Sequence, residues 1–428
     1  MKYDVVIAGG GLAGLSCGVK LAESGLRCAI ISAGQSALHF SSASLDLLSA
    51  LPDGQPVTEP LSALAVLAHQ APAHPYSVIG ESAVRRGVSQ AMVLLQQDAL
   101  PLRGSAERNH WRLTPAGQWR MSWLTPDMVP VLSEKMTADW QPAAVISITG
   151  FLDFQAEMAA AALTRQGYPA QAYTLHLPCL DKLRNNPSEF RSVNIARVLD
   201  LPQNRQELAD ELAQCGITEQ TLILPACFGA ENGDGVAFLQ QQLDKTVYQL
   251  PPLPPSLLGM RLHQALLRRF RLAGGFVMPG DSVISVRRDG DRITQLFTRN
   301  HGDIPVQAAQ FVLATGSFFS NGLASDIDRI YEPLLNLNLT ETLPRREWTS
   351  ADLFARQRYL EAGVATDAHL HPADANGTIT NLYAAGAVLG GYNPLQEGCG
   401  AGVSLVTAMY AAEQILAQIG AAVTEEQV

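Results

Sequence analysis

The stretch "VVIAGGGLAGL", residues 5–15, decides the fold. An apolar run passes straight into glycines and then into a helical pattern. Gly9, Gly11 and Gly14 make a G-x-G-x-x-G turn. The first glycine permits the tight bend, the second lets a phosphate approach the backbone, and the third lets the helix lie close on the strand. N–H groups at the helix start then face the anion, helped by the helix dipole. A second strand follows in "GLRCAIISAG" (25–34), so the opening is strand 3–8, helix 12–24 and strand 27–32. In folds that hold an adenosine ribose, the second strand ends in Asp or Glu. Here it ends in Ser32. Either the ribose is gripped elsewhere, or the nucleotide has no adenosine half.

A chain of 428 residues exceeds one small core, and two or three lobes are expected. The formal charge of −10 argues against a nucleic-acid groove. Six cysteines, at 17, 28, 179, 215, 227 and 399, form no C-x-x-C pair. Neither a zinc ribbon nor a ferredoxin-type cluster can be built from that spacing, and the scatter suits a reducing cytoplasm. The N-terminus lacks the apolar length of a secretory signal. Residues 401–423 are nearly uncharged, but Glu413, Gln414 and Gln418 interrupt them, so a buried helix is expected rather than a membrane span.

Proline-rich connectors dominate residues 50–250. Two buried strands are expected there, in "PAAVISITGFLDF" (142–154) and "QTLILPACFG" (220–229), with a helix at 153–167 ended by Gly167. From 254 the pattern predicts a helix capped by Ser256, then alternating strands over 276–299 around "DGD". A buried strand follows, entering the turn of "ATGSFFS" at Gly316. The last block, 380–416, reads as strand, loop, glycine cluster and helix. The fold expected is α/β: a Rossmann-like FAD/NAD(P)-binding domain assembled from residues 1–50, 256–330 and 371–428. An α/β lobe is inserted at 51–255, with 331–370 associated with it.

The late "ATG" turn and the "NLYAAGAVLGG" block shift the expectation from nicotinamide to flavin. Here the chain resembles the flavoproteins with two dinucleotide-binding folds. In those proteins a C-terminal Gly-Asp or Gly-Glu turn contacts the flavin; this chain has Gly386-Ala387, so a second acid is missing. More narrowly, the chain resembles the B subunits of bacterial anaerobic glycerol-3-phosphate dehydrogenase. "GGGLAGLSCG", "QSALHFSSASLDLL", "LRNNPSEFRSVNIAR", "LPPLPPSLLGMRL", "TRNHGDIP", "ATGSFFS" and "GCGAGVS" carry the match over nearly the full length. That resemblance implies an FMN-type flavin, with FAD as the alternative. It also implies a second flavoprotein subunit (A) and a membrane-associated iron–sulfur subunit (C), which would hold the chain at the inner face of the membrane. The implied reaction is oxidation of sn-glycerol 3-phosphate to dihydroxyacetone phosphate, with electrons delivered to quinone.

Flavin contacts are expected from Gly9, Gly11, Gly14, Ser32 and Gly316, and from Gly386. Gly398, Gly400 and Gly402 at the mouth of the last helix join them, although such glycines also serve close packing. Ser41 and Ser42 in "HFSSAS" suit flavin contacts, or else Ser42 or Ser44 caps a helix carrying Leu45, Leu47 and Leu48. Arg184, Arg191 and Arg261 are the candidates for the substrate phosphate, since guanidinium grips it bidentately. Removing hydride from a secondary alcohol needs a base, for which His39 and His301 are the candidates. His369 and His371 alternate on "HLHP", but with no third ligand in sight no metal site is expected. Two other functions compete: a fumarate-reductase-like flavoenzyme acting on a dicarboxylate, and a non-catalytic structural subunit.

Overall fold

The computed structural model describes residues 1–96, 100–133, 137–231 and 233–425. Nine strands build its two parallel sheets: β1 (Val5–Ala8), β2 (Cys28–Ser32), β3 (Ala143–Ile148), β4 (Ala170–Leu175), β5 (Thr221–Pro225), β6 (Thr246–Leu250), β7 (Phe276–Pro279), β8 (Gln310–Leu313) and β9 (Leu382–Ala384). The helices that bear on function are α1 (Leu12–Glu23), α2 (Glu81–Leu94), α3 (Ala156–Arg165), α4 (Ser192–Leu199), α5 (Leu257–Leu272) and α6 (Gly400–Glu425). None of the described helices is long and apolar enough to cross a membrane.

Two compact units emerge. Unit 1 comprises Met1–Ala37, Asp46–Leu95 and Leu266–Val428; unit 2 comprises Leu38–Leu45 and Gln96–Ala265. Unit 1 holds a five-stranded sheet in the order β7-β2-β1-β8-β9, every pair parallel. β1 is central and wholly buried, and its "VVIA" is the unbroken apolar run that a strand covered on both faces requires. α1 returns over the sheet and stops at Gly25, whose φ of +89° ends the helix in the left-handed conformation.

The expected boundaries shift for identifiable reasons. Residues 46–95 belong with unit 1, because Tyr76 is buried there with its hydroxyl donating to the Leu47 carbonyl at 3.0 Å. A Cβ on Gly402 would stand 2.3 Å from that hydroxyl, and one on Gly87 of α2 would stand 3.1 Å from Val406 of α6. Residues 331–370 also lie in unit 1, while 38–45 lie in unit 2. The run 276–299 divides too: β7 joins the edge of the parallel sheet, and only Val283–Asp289 and Arg292–Thr298 pair as a hairpin.

Unit 2 has its own parallel sheet in the order β6-β5-β3-β4. α3 links β3 to β4 and stops before Gly167, at φ +86°. Ser256 caps α5 as expected, its Oγ accepting the Gly259 N–H at 3.3 Å.

Candidate functional site

In unit 1 the chain leaves β1 toward β2 and β7 on one side, while β8 and β9 lie on the other. The switch point between β1 and β8 is where open α/β sheets hold nucleotides, beyond the carboxyl ends of the strands. Gly9 occupies it with φ +117°, and a Cβ there would stand 2.0 Å from the Ala314 carbonyl oxygen at the end of β8. A Cβ on Gly14 would stand 1.9 Å from the Gly9 oxygen, so the strand–turn–helix closes only without side chains at either position. Gly11 differs. The nearest atom to its Cβ position is Ser36 Oγ at 4.0 Å, leaving the α1 N-terminus open to an approaching group.

Thr315, two residues past the end of β8, carries a buried Oγ1 without a hydrogen-bond partner among the described residues. An orphaned hydroxyl beside a glycine-lined helix N-terminus fits a phosphate-bearing cofactor. Sequence reading passed over Thr315, although it sits in the "ATG" turn. Gly316, next in that turn, has φ +84°, and a Cβ there would stand 2.9 Å from Ser320 Cβ.

Ser32 ends β2 beside this turn: a Cβ on Gly10 would stand 2.8 Å from its Oγ, which donates to the Gly34 carbonyl at 3.3 Å. Asp281 is an acid held beside it, its N–H donating to the Ser32 carbonyl at 3.3 Å. Its carboxylate is already committed to the Ser282 and Asn300 N–H groups and to His301. Burial would raise the Asp281 carboxyl, but these contacts and Thr298 hold it below its ordinary range. It is therefore no substitute for a ribose acid. The same contacts fix His301, with Nδ1 2.9 Å from both Asp281 Oδ2 and Thr298 Oγ1.

At the α6 end, Gly386 has φ +81° and its N–H donates to Thr407 Oγ1 at 2.9 Å. A Cβ there would stand 2.6 Å from Ala13 Cβ, so this glycine lets the start of α1 approach closely. Gly398 (φ +55°) is packed against Ser49 and Gly402 against Tyr76, whereas Gly400 meets only Pro394 Cβ at 3.2 Å.

Behind the α6 mouth lies a group that no sequence pattern marked. His74 Nε2, a Glu397 carboxylate oxygen and Cys399 Sγ lie within 4.8 Å of one another, all buried. The Tyr76 N–H donates to His74 Nδ1 at 3.0 Å, so the neutral ring carries its proton on Nε2. That N–H faces Glu397 Oε2 at 3.4 Å and Cys399 Sγ at 3.8 Å. A ring donating from Nε2 cannot offer that lone pair to a metal, so the group is a polar network. Burial drives His74 down to about 3 and Glu397 up to about 7. The His74–Glu397 contact therefore joins a neutral imidazole to a carboxyl and is not an ion pair. Glu397 also organises the turn: Oε1 accepts the Asn393 N–H at 2.6 Å, and its carbonyl accepts the Ser49 and Ala50 N–H groups.

The remaining candidates lie in unit 2. Ala37–Phe40 forms a 3-10 turn, and no helix follows at 45–48; Leu45 instead bridges to Leu124. Capping therefore does not explain Ser42 or Ser44. Ser41 Oγ donates to the Leu38 carbonyl, and Ser42 Oγ accepts the Ser44 N–H. His39 Nε2 lies 3.2 Å from Nδ1 of His263 on α5, a partner too distant in sequence to be recognised, and burial lowers His39 from its ordinary value. Arg184 is a staple, donating to the carbonyls of Thr149 and Leu177 and to Asp181. Arg261 is 2% exposed beside Met128 Sδ, and burial pulls it down to about 10 against the opposing pull of Asp200 and Asp234. Arg191 pairs with Asp153 at 2.6 Å and stays 46% exposed.

The family model for the FAD-binding domain matches residues 4–403. The B subunit of anaerobic glycerol-3-phosphate dehydrogenase from Yersinia pestis bv. Antiqua is 55% identical over 98% of this chain and 99% of its own. The B subunit of the same name from Pectobacterium atrosepticum is 51% identical over 97% of this chain and 99% of its own. Among solved structures, glycine oxidase from Bacillus cereus aligns over 97% of this chain and 95% of its own, with 14% identity and a TM-score of 0.34.

Proposed function

Since the chain belongs to the FAD-binding domain family and to the anaerobic glycerol-3-phosphate dehydrogenase B subunits, we propose that it is the flavin-bearing B subunit of such a dehydrogenase. It acts in the oxidation of sn-glycerol 3-phosphate to dihydroxyacetone phosphate, with electrons passing through partner subunits to quinone. The observation that carries this reading is the full-length identity to proteins of that name, joined to a glycine turn at the sheet's switch point.

The flavin is FMN. Ser32 stands where an adenosine ribose would want a carboxylate, and Asp281 beside it is committed elsewhere. FMN ends in a phosphate, which suits the α1 N-terminus, the open side of Gly11 and the Thr315 hydroxyl. When bound, the flavin supplies the acceptor for the hydride leaving the carbinol carbon. The chain's own residues hold the nucleotide, through Gly9, Gly11, Gly14, Ser32, Thr315 and Gly316, and back the α6 mouth through Gly386, Gly398, Gly400 and Gly402. Ser41 and Ser42 stay candidates for contacts to the ring. His39, paired with His263, is the candidate acceptor for the hydroxyl proton, because a shared ring proton leaves one imidazole nitrogen basic.

The six scattered cysteines supply no iron–sulfur ligand set, so electrons leave through a second flavoprotein subunit (A) and an iron–sulfur subunit (C). The chain works at the cytoplasmic face of the membrane, docked there by a partner.

The test is to release the cofactor with acid, identify it by mass, and assay glycerol 3-phosphate-dependent dye reduction with and without the partner subunits. FMN and substrate-dependent reduction in the complex are expected. A folded, colourless protein whose removal leaves the complex's turnover intact would make it a structural subunit and overturn the reading.

A further inference from the structure

Unit 2 carries a second switch point that the flavin site does not use. The chain leaves β3 through α3 to β4 on one side, while β5 and β6 lie on the other. Loops leaving the carboxyl ends of β3 and β5 therefore diverge, and such a crevice is where α/β sheets take ligands.

Asp153 lies in the loop after β3 and is 7% exposed. Its Oδ1 takes Arg191 Nη1 at 2.6 Å, whereas its Oδ2, also buried, has no hydrogen-bond partner among the described residues. A carboxylate oxygen is a strong acceptor, and burying one unmatched carries a desolvation cost that a donor would relieve. Arg191 stands at the N-cap position of α4, its guanidinium pinned at one corner by Asp153 and exposed elsewhere.

The surrounding backbone fixes this pair in place. The Asp153 carbonyl accepts the Leu253 N–H at 2.9 Å, Ser192 Oγ donates to the Pro255 carbonyl at 2.6 Å, and the Ser256 N–H donates to the His39 carbonyl at 2.7 Å. The loop after β3, the start of α4, the loop after β6 and the His39–His263 pair thus form one hydrogen-bonded edge.

We propose that Arg191 and Asp153 bind a hydroxylated phosphate monoester: the phosphate on the exposed part of the guanidinium, a carbinol hydroxyl donating to Asp153 Oδ2. The guanidinium screens the carboxylate from the phosphate, and its pinned corner pre-orients the fork that phosphate needs. Arg184, stapled to two carbonyls and an aspartate, positions the ends of β3 and β4. Arg261 is too buried to reach a ligand. That the ester is glycerol 3-phosphate rests on the function proposed above; the phosphate-and-hydroxyl chemistry does not.

Calorimetric titration of the full-length protein with sn-glycerol 3-phosphate, inorganic phosphate and glycerol tests the site. Wild type is expected to bind the ester more tightly than phosphate. Arg191→Met should weaken both by about tenfold or more, and Asp153→Asn should weaken the ester about tenfold while leaving phosphate within about twofold. Arg197→Ala, on the same helix, should change neither. Ester affinity within about twofold of wild type in Arg191→Met overturns the proposal. That variant decides even if Asp153→Asn fails to melt cooperatively. Flavin absorbance of the same samples separates this failure from a failure of the flavin reading, since a colourless protein that still binds the ester refutes only the latter.

Discussion

Glu397 and His74 permit a test in which two buried groups pull stability in opposite directions with pH. Glu397 is 4% exposed, and burial lifts its carboxyl from 4.5 to about 7. The folded protein keeps a proton there that the unfolded chain has released, so stability falls as pH rises from about 4.5 to about 7. At about 1.4 kcal/mol per pH unit, this is worth about 3 kcal/mol. His74 is 0% exposed and lowered from 6.5 to about 3. There the unfolded chain binds a proton that the folded protein refuses, so stability rises between about pH 3 and about 6.5, by about 5 kcal/mol in all. Between about pH 4.5 and about 6.5 the two slopes largely cancel.

Glu397→Gln removes one slope and leaves the other. The amide also adds a fixed cost of about 1–3 kcal/mol, because the Asn393 N–H faces one carboxyl oxygen and the His74 N–H the other, so either amide orientation sets donor against donor. That cost is independent of pH, and the slope is the readout. Urea-unfolding free energies across this range should show the variant gaining on wild type by about 3 kcal/mol between about pH 4.5 and about 7. The neighbours Tyr76, Tyr392 and Cys399 are all raised, Arg356 is raised by Glu361, and none of these four titrates in the window. Parallel curves for the two proteins would refute the assignment of a buried, proton-holding carboxyl at 397.

Gly14→Ala places a methyl where 1.9 Å separates it from the Gly9 carbonyl oxygen; the purified variant should lose bound flavin and melt at lower temperature, and full flavin occupancy would count against the turn as the cofactor's seat. Ser32→Glu separates the two flavins: a carboxylate beside the terminal phosphate of FMN should weaken binding, whereas tighter binding of FAD would show an adenosine ribose there. His301→Ala strips a donor from buried Asp281 and should cost about 1–3 kcal/mol of stability while kcat holds. A collapse of kcat with unchanged melting would return His301 to the role of base.

What was legible in the sequence depended on how locally each constraint is written. The nucleotide turn is local: Gly14 lies five residues from Gly9 and has no room for a side chain against the Gly9 carbonyl oxygen, so the strand, turn and helix of residues 5–23 follow from the sequence itself. The strands β3 and β5 were legible as buried strands from their apolar runs, though not their pairing. The partition of the chain was not. Residues 46–95 look like their polar, proline-rich neighbours, and what assigns them to unit 1 is Tyr76 resting where Gly402 has no side chain. The polar pairs were least legible: His74 meets Cys399 across 325 positions and His39 meets His263 across 224. Periodicity reports which face of an element is covered, not which distant polar atom completes a donor. A histidine, an acid and a cysteine in separate segments have no shared period to betray them. The arginines teach the converse. Arg184, Arg191 and Arg261 looked equivalent as cations, and burial and partners alone separate a staple, an exposed fork and a sealed charge. The only one of the three still exposed enough to meet an anion is Arg191, and the acid that pins it brings an unmatched oxygen of its own.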